Sequence, residues 1–332
     1  MMRSLVLVAG SGRSGTSLFA GIMKRLGYTV PGPEVPADET NPRGFAESQW
    51  VVDFHTRLLR RADVQTADAR PSAWAQAARV GLDDAVAAEL RTWLVRQPSE
   101  HLIVKDPRIS WFAPLWRRCA AELEVAPRFV TMLRHPAEVI DSKQRWYGGR
   151  QSEISRAAGW LNQTLFTERA TRESPRVFIR YDELLLDWTR AVGHAAETLD
   201  LEPVRSASPQ AMRTVHEFVD QGLRRSLGNW DGLALPEDLR ALCDEVWRLI
   251  AGADPEDVTD RLDALRGAYT DLYAEAEALA HSSIAAARSA PAAASGRLPG
   301  PAGWLIRRVP VRYRRRVPPP VRARLVRTLR NA

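Results

Sequence analysis

Cysteine is almost missing: Cys119 and Cys243 are the only two in 332 residues. Their spacing suits neither a metal clip nor the paired framework of a secreted scaffold, so two buried or idle thiols in a reducing compartment are expected. Long apolar runs are missing as well. The run Leu5-Val6-Leu7-Val8-Ala9 stops at Gly10, far short of the ~20 residues a membrane span needs. No small-residue cleavage site follows it, so it reads as a buried strand. Histidine is sparse, with six scattered residues and no apparent metal-ligand cluster. Acidic residues are absent from 296 to 332, a stretch that holds eleven arginines. Taking those eleven from the net +7 of the chain leaves −4 for the rest. A mildly acidic body argues against a nucleic-acid partner and gives the tail a partner of its own.

What is present is an ordinary globular composition, 45% apolar and 26% charged, in a chain long enough for a substantial core. Leu5 to Ala9, His101 to Val104, Arg128 to Leu133 and Arg176 to Arg180 read as strands. Between them, helical patterns run from the first glycine loop through Leu26, over Ala46 to Arg61, and over Ser72 to Arg96 with a break near Gly81. Further helices are expected over Ile109 to Leu123, after Pro136, and over Ser155 to Thr171. This alternation predicts an α/β fold: a central parallel sheet in three layers, flanked by helices on both faces. Beyond Tyr181 the pattern is helical to about His281. The expected organisation is a folded domain over 1–281, an Ala/Pro/Ser/Gly linker over 282–301 and a basic tail over 302–332.

Gly10-Ser11-Gly12-Arg13-Ser14-Gly15-Thr16-Ser17 joins the first strand to the first helix. Glycines let several backbone N–H groups converge, and the helix start adds free N–H groups and its positive dipole end. The stretch departs from a Walker A loop at one place: the lysine expected after Gly15 is Thr16. The loop's cation is Arg13 instead. A second candidate anchor is Arg134, at a strand end, with Ser142 on the following helix, roughly 9 Å along from Pro136. A guanidinium fork plus a small hydroxyl suits a phosphate.

The strand, the Arg-Ser-Gly-Thr-Ser loop and the helix resemble the 5′-phosphosulfate element of sulfotransferases that use 3′-phosphoadenosine 5′-phosphosulfate (PAPS), and Arg134 with Ser142 resembles their 3′-phosphate element. Asn41-Pro42-Arg43-Gly44-Phe45-Ala46-Glu47, Val104-Lys105-Asp106-Pro107-Arg108 and Ile179-Arg180-Tyr181-Asp182-Glu183-Leu184 are similar to stretches of bacterial members. Phe218-Val219-Asp220 with Leu223-Arg224-Arg225 resembles a late basic segment of theirs. The resemblance runs from about residue 3 to residue 226.

It implies a P-loop-like fold and in-line transfer of a sulfonate from PAPS to a hydroxyl or amine, without a metal. Ser11, Gly12, Arg13, Ser14, Gly15, Thr16, Ser17, Arg134 and Ser142 would hold the nucleotide, joined by Tyr181, Arg224 and Arg225. Arg13 and Lys105 are the expected catalytic cations and Glu47 the expected base. Each has a plainer reading. Glu47 suits the first turn of a helix through the macrodipole alone. Lys105 and Asp106 could form an internal ion pair, and Asp106 with Arg108 could be structural. Tyr181 could cap its strand, and Arg224 and Arg225 could lie on a solvated face. His55 and His101 are alternative bases. Trp50, Trp111, Trp116, Trp146, Tyr147 and Trp160 suit core packing, with some left for an acceptor cleft.

The implied acceptor is a glycan, a glycolipid or a small metabolite. Two other readings stay open: a P-loop small-molecule kinase with Asp106 ending a Walker-B-like strand, and a non-catalytic nucleotide-binding protein. The expected location is cytoplasmic. The basic tail suits either an anionic membrane surface, as a peripheral attachment at the inner face, or a solvated arm.

Overall fold

In the computed structural model the alternating residues of the first strand divide between two cores. Residues 2, 4–148, 151–220, 222, 228–252 and 258–289 are described. β1 (Ser4–Ala9) is wholly buried. Leu5, Leu7 and Ala9 enter a core with Phe54, Leu58, Leu90, Trp111 and Trp116. Val6 and Val8 enter another with Phe19, Ile22, Met23, Leu184 and Val192. Period-two alternation with both sets apolar requires a sheet covered on both faces, and that is what forms.

β2 (His101–Lys105), β3 (Pro127–Leu133) and β4 (Arg176–Arg180) complete a four-stranded sheet in the order β2-β1-β3-β4, with all pairings parallel. α1 (Thr16–Arg25), α8 (Tyr181–Leu186) and α9 (Trp188–Thr198) contribute to the face of Val6 and Val8. α2 (Gln49–Ala62), α3 (Ala73–Gly81), α4 (Asp84–Val95) and α5 (Ile109–Ala121) contribute to the other. The break expected near Gly81 falls between α3 and α4, where the Asp83 side chain accepts the Ala85 N–H and caps α4.

α6 (Pro136–Tyr147) and α7 (Glu153–Thr171) link β3 to β4, and with α12 (Glu237–Gly252) and the start of α13 (Thr259–Ser289) they enclose a third core. α10 (Glu202–Arg205) and α11 (Pro209–Phe218) lie between α9 and α12 in sequence. The helices that follow β1 and β2 lie on opposite faces of the sheet. That reversal opens a crevice at the carboxyl ends of the central strands, where α/β sheets bind ligands.

The chain divides into two units, 1–273 and 274–332. The first holds the sheet and the three cores. Of the second, 274–289 is described and is helical, so an alanine-rich helix continues past the boundary that composition placed at 281. Residues 290–332 lie outside the described residues. They include the rest of the expected linker and the whole basic tail, and Arg224 and Arg225 also lie outside. Among the described residues, no helix is long and apolar enough to cross a membrane.

Candidate functional site

Each strand of the sheet delivers chemistry-bearing residues at or just past its carboxyl end: the 10–15 loop after β1, Lys105 of β2, Arg134 after β3 and Tyr181 after β4. They meet at a cavity of about 630 Å³, within the size range of small-molecule sites. Gly12, Arg13, Gly15, Thr16 and Ser17 line it, together with Glu47, Lys105, Arg134, Ser142 and Tyr181.

Ser11 and Ser14 are turned into the loop itself. The Ser14 hydroxyl donates to the Ser11 carbonyl, and the Ser11 hydroxyl donates to the Gly12 carbonyl at 3.4 Å. Gly15 has φ 90°, and a Cβ there would sit 2.3 Å from the Tyr181 ring. Glycine is therefore required twice, by its backbone angle and by the aromatic face packed on it. Tyr181 opens α8, and the Arg134 guanidinium lies 4.6 Å from its ring centre.

Arg13 has a left-handed backbone, φ 77°, a conformation that non-glycine residues keep only where their surroundings enforce it. Its Nε donates to Ser142 Oγ at 3.1 Å and its Nη1 to the Thr40 carbonyl at 3.2 Å. The two anion elements expected from the sequence are thus in direct contact. Arg134 is tied more tightly than a bare phosphate fork. Its Nε donates to Glu138 at 2.7 Å and its Nη1 to the Arg13 carbonyl at 3.1 Å, so much of it braces the loop.

Lys105 does not pair with Asp106. It donates to Glu47, and both groups are buried, at 3% and 9% exposure. Glu47 is not in the first turn of a helix as expected: α2 starts at Gln49. Ala46 takes a left-handed turn at φ 50°. The Glu47 carbonyl accepts the Val35 N–H at 2.8 Å, and Gln49 N–H bonds the Pro33 carbonyl at 2.8 Å. Pairing with 33–35 keeps this stretch extended, and the Glu47 carboxylate is aimed into the cavity by that pairing rather than by a helix.

Asp106 is fully buried and lies outside the cavity lining. It accepts the Arg108 N–H at 2.7 Å and the Arg108 guanidinium at 3.1 Å, while Arg108 itself lines the cavity. His55, weighed as a base, is buried behind it. Its Nε2 accepts the Trp116 indole N–H at 2.9 Å, so the proton of the neutral ring sits on Nδ1, 3.3 Å from Asp106 Oδ2. His101, the other candidate base, starts β2 and also lies outside the cavity lining.

Burial alone would raise the Asp106 carboxyl, but the His55 ring and Arg108 outweigh it and hold the group below the usual carboxylate range. A carboxyl depressed by folding adds stability that is complete above its unfolded value near about 4 and is lost as pH falls through the folded value. Asp106→Asn is therefore expected to lower stability at neutral pH and to flatten the loss of stability below about pH 4. Thermal unfolding across pH 2.5–7 checks this; an acid limb parallel to that of the wild type would assign the effect elsewhere.

Of the aromatic residues, Trp111, Trp116 and Trp160 are core, and Trp50 stacks on Phe54 and Trp93. Trp146 and Tyr147 instead line the cavity. Of the lining residues that escaped sequence reasoning, two bear on the chemistry. Gln163, in the middle of α7, donates to the Pro107 carbonyl at 2.8 Å, and its buried Oε1 has no partner among the described residues. Lys143, beside Ser142 on α6, donates to Ser11 Oγ at 3.2 Å. The adjacent Ser-Lys pair was the available signal for Lys143; nothing local marked Gln163.

The residues present fit a polyanion. The loop carries open helix N–H groups with no acidic residue in the first turn of α1, and Arg13, Arg108, Arg134 and Lys143 line the same space.

No protein-family model matches the chain, and no curated protein matches it. Among solved structures it is similar to the sulfotransferase domain from the Synechococcus PCC 7002 olefin synthase, with a TM-score of 0.46 and 17% identity over 77% of this chain and 98% of that one. It is also similar to the sulfotransferase domain from the curacin biosynthetic pathway, with a TM-score of 0.41 and 13% identity over 74% of this chain and 96% of that one.

Proposed function

We propose that this protein is a PAPS-dependent sulfotransferase whose acceptor is a hydroxyl or amine of a glycan, a glycolipid or a small metabolite. The observation that carries this reading is the meeting of two anion elements in one cavity, with Arg13 Nε on Ser142 Oγ. A nucleotide with anionic groups at both its 5′ and 3′ positions fits such a pair. The loop's N–H groups and Arg13 would hold the 5′ end, and Ser142 with Arg134 the 3′ end.

When bound, that nucleotide supplies a sulfonate: the acceptor's oxygen or nitrogen bonds to sulfur as the bond from sulfur to the departing phosphate oxygen breaks. Arg13 and Lys105, both in the cavity lining, would stabilise the negative charge that grows on the sulfonyl oxygens and the departing phosphate, as preplaced cations do. Glu47 would take the proton that the acceptor loses. Its bond to Lys105 holds base and cation at one place, with the Gln163 amide oxygen nearby in the lining as an acceptor for a substrate hydroxyl. Trp146 and Tyr147 offer aromatic faces of the kind that stack on sugar rings or apolar acceptors.

The kinase reading is weakened by Asp106, which is buried and occupied by His55 and Arg108, and by Thr16 in place of the loop lysine. Calorimetric titration is expected to show binding of adenosine 3′,5′-bisphosphate and little or none of ATP with Mg²⁺. The reverse order would overturn the proposal. Labelled PAPS offered with acceptor extracts is expected to give a product heavier by one sulfonate; failure of transfer despite bisphosphate binding would favour a non-catalytic nucleotide-binding protein.

A further inference from the structure

We propose that Lys143 is the cation missing from the opening loop, delivered from α6 to bind the 5′ anion of the nucleotide. The inference rests on the nucleotide reading above and names a group that the loop sequence does not reveal. A Walker loop carries its lysine at the position taken here by Thr16. Consecutive residues of α6 clasp the loop at two points instead: Ser142 Oγ accepts from Arg13, and Lys143 Nζ donates to Ser11.

Lys143 is 8% exposed, yet it lines the cavity. Among the described residues its one hydrogen bond goes to Ser11 Oγ, and no carboxylate lies within ion-pair distance. Lys105 and Arg134, in the same lining, are neutralised by Glu47 and Glu138. An ammonium has three donors, and burying one without a counter-ion is costly unless an anion arrives. Burial, with the charge of Arg156 on α7 adding to it, pushes the Lys143 ammonium down to about 8. The other charged groups of the lining are Arg13 on the loop, Asp141 and Arg145 on the lysine's own helix, Arg134 after β3, Arg108 after β2, Glu39 and Arg43 before α2, and the Lys105–Glu47 pair. An arriving phosphate or sulfate reverses the shift, so binding draws a proton onto Lys143.

The test is calorimetric titration of the full chain with adenosine 3′,5′-bisphosphate at pH 8.0, in two buffers of different ionisation enthalpy. The wild type is expected to take up about 0.5 proton more than Lys143→Met, and the variant to bind about 10- to 100-fold more weakly. Equal affinity and equal proton uptake would overturn the proposal. A second probe, inorganic sulfate followed through the Lys143 ¹³Cε signal, reads the ammonium whether or not the nucleotide binds. A rise in the Lys143 pKa on adding sulfate supports the proposal, and no movement overturns it. A lysine that responds to sulfate in a protein that ignores the bisphosphate would leave Lys143 standing and sink the nucleotide reading instead.

Discussion

Lys105→Met is expected to destabilise the protein by about 3–5 kcal/mol and to abolish the proposed sulfonate transfer. The ammonium it removes is nearly inaccessible and bonded to Glu47, which is itself buried. Methionine fills the same volume but leaves a carboxylate stranded without a counter-charge, and that stranding dominates the cost. Adding Glu47→Gln removes the stranded charge, so the double variant should recover most of the lost stability. In a fold of this size the single variant should melt lower by roughly 5–9 °C. Activity separates the structural and catalytic roles of the pair. If both groups act on the reaction, the double variant folds well and stays inactive. Recovery of transfer along with stability would reduce the pair to an internal strut.

Arg13→Ala is expected to lower the turnover rate about 10²–10³-fold, the usual effect of removing one preplaced donor from a site of charge development. The stability change should be small, because Arg13 is only partly buried and its bonds run to one hydroxyl and one carbonyl. The two effects should therefore dissociate, whereas for Lys105 they coincide. Bisphosphate affinity should fall less than turnover, since the loop N–H groups and the residues of α6 remain. A loss of bisphosphate affinity with the saturated turnover rate unchanged would make Arg13 a binding group alone. An unchanged rate of transfer would remove it from the mechanism.

The elements of this fold are written locally. Four short β-rich runs, helical periodicity between them, a proline opening α6 and an aspartate capping α4 each depend on neighbours within a few residues. So does the glycine spacing of the loop, and so do the places where Arg13, Lys105, Arg134 and Tyr181 leave their strands. Errors arose where a distant strand-like contact overrode local preference. Residues 46–48 have a helical pattern, but Ala46 turns left-handed, and bonds to 33 and 35 hold 47–48 extended and move the start of α2 to Gln49.

Which of these side chains meet is another matter, and periodicity carries no information about it. Arg13 and Ser142 are 129 residues apart, Lys143 and Ser11 are 132 apart, and Lys105 and Glu47 are 58 apart. Their contacts come from the strand order, which brings the ends of β1, β2 and β3 to one crevice and lays α6 across the loop. The amino-acid pattern by itself determined that a glycine-rich loop joins β1 to α1 and which strand ends carry polar groups. Only the folded sheet decided that Glu47 neutralises Lys105, that Asp106 is occupied by His55 and Arg108, and that Lys143 alone among these lining lysines has no carboxylate partner in the described residues. Burial and pairing of charge are properties of where chain segments pack, and no short stretch of residues encodes them.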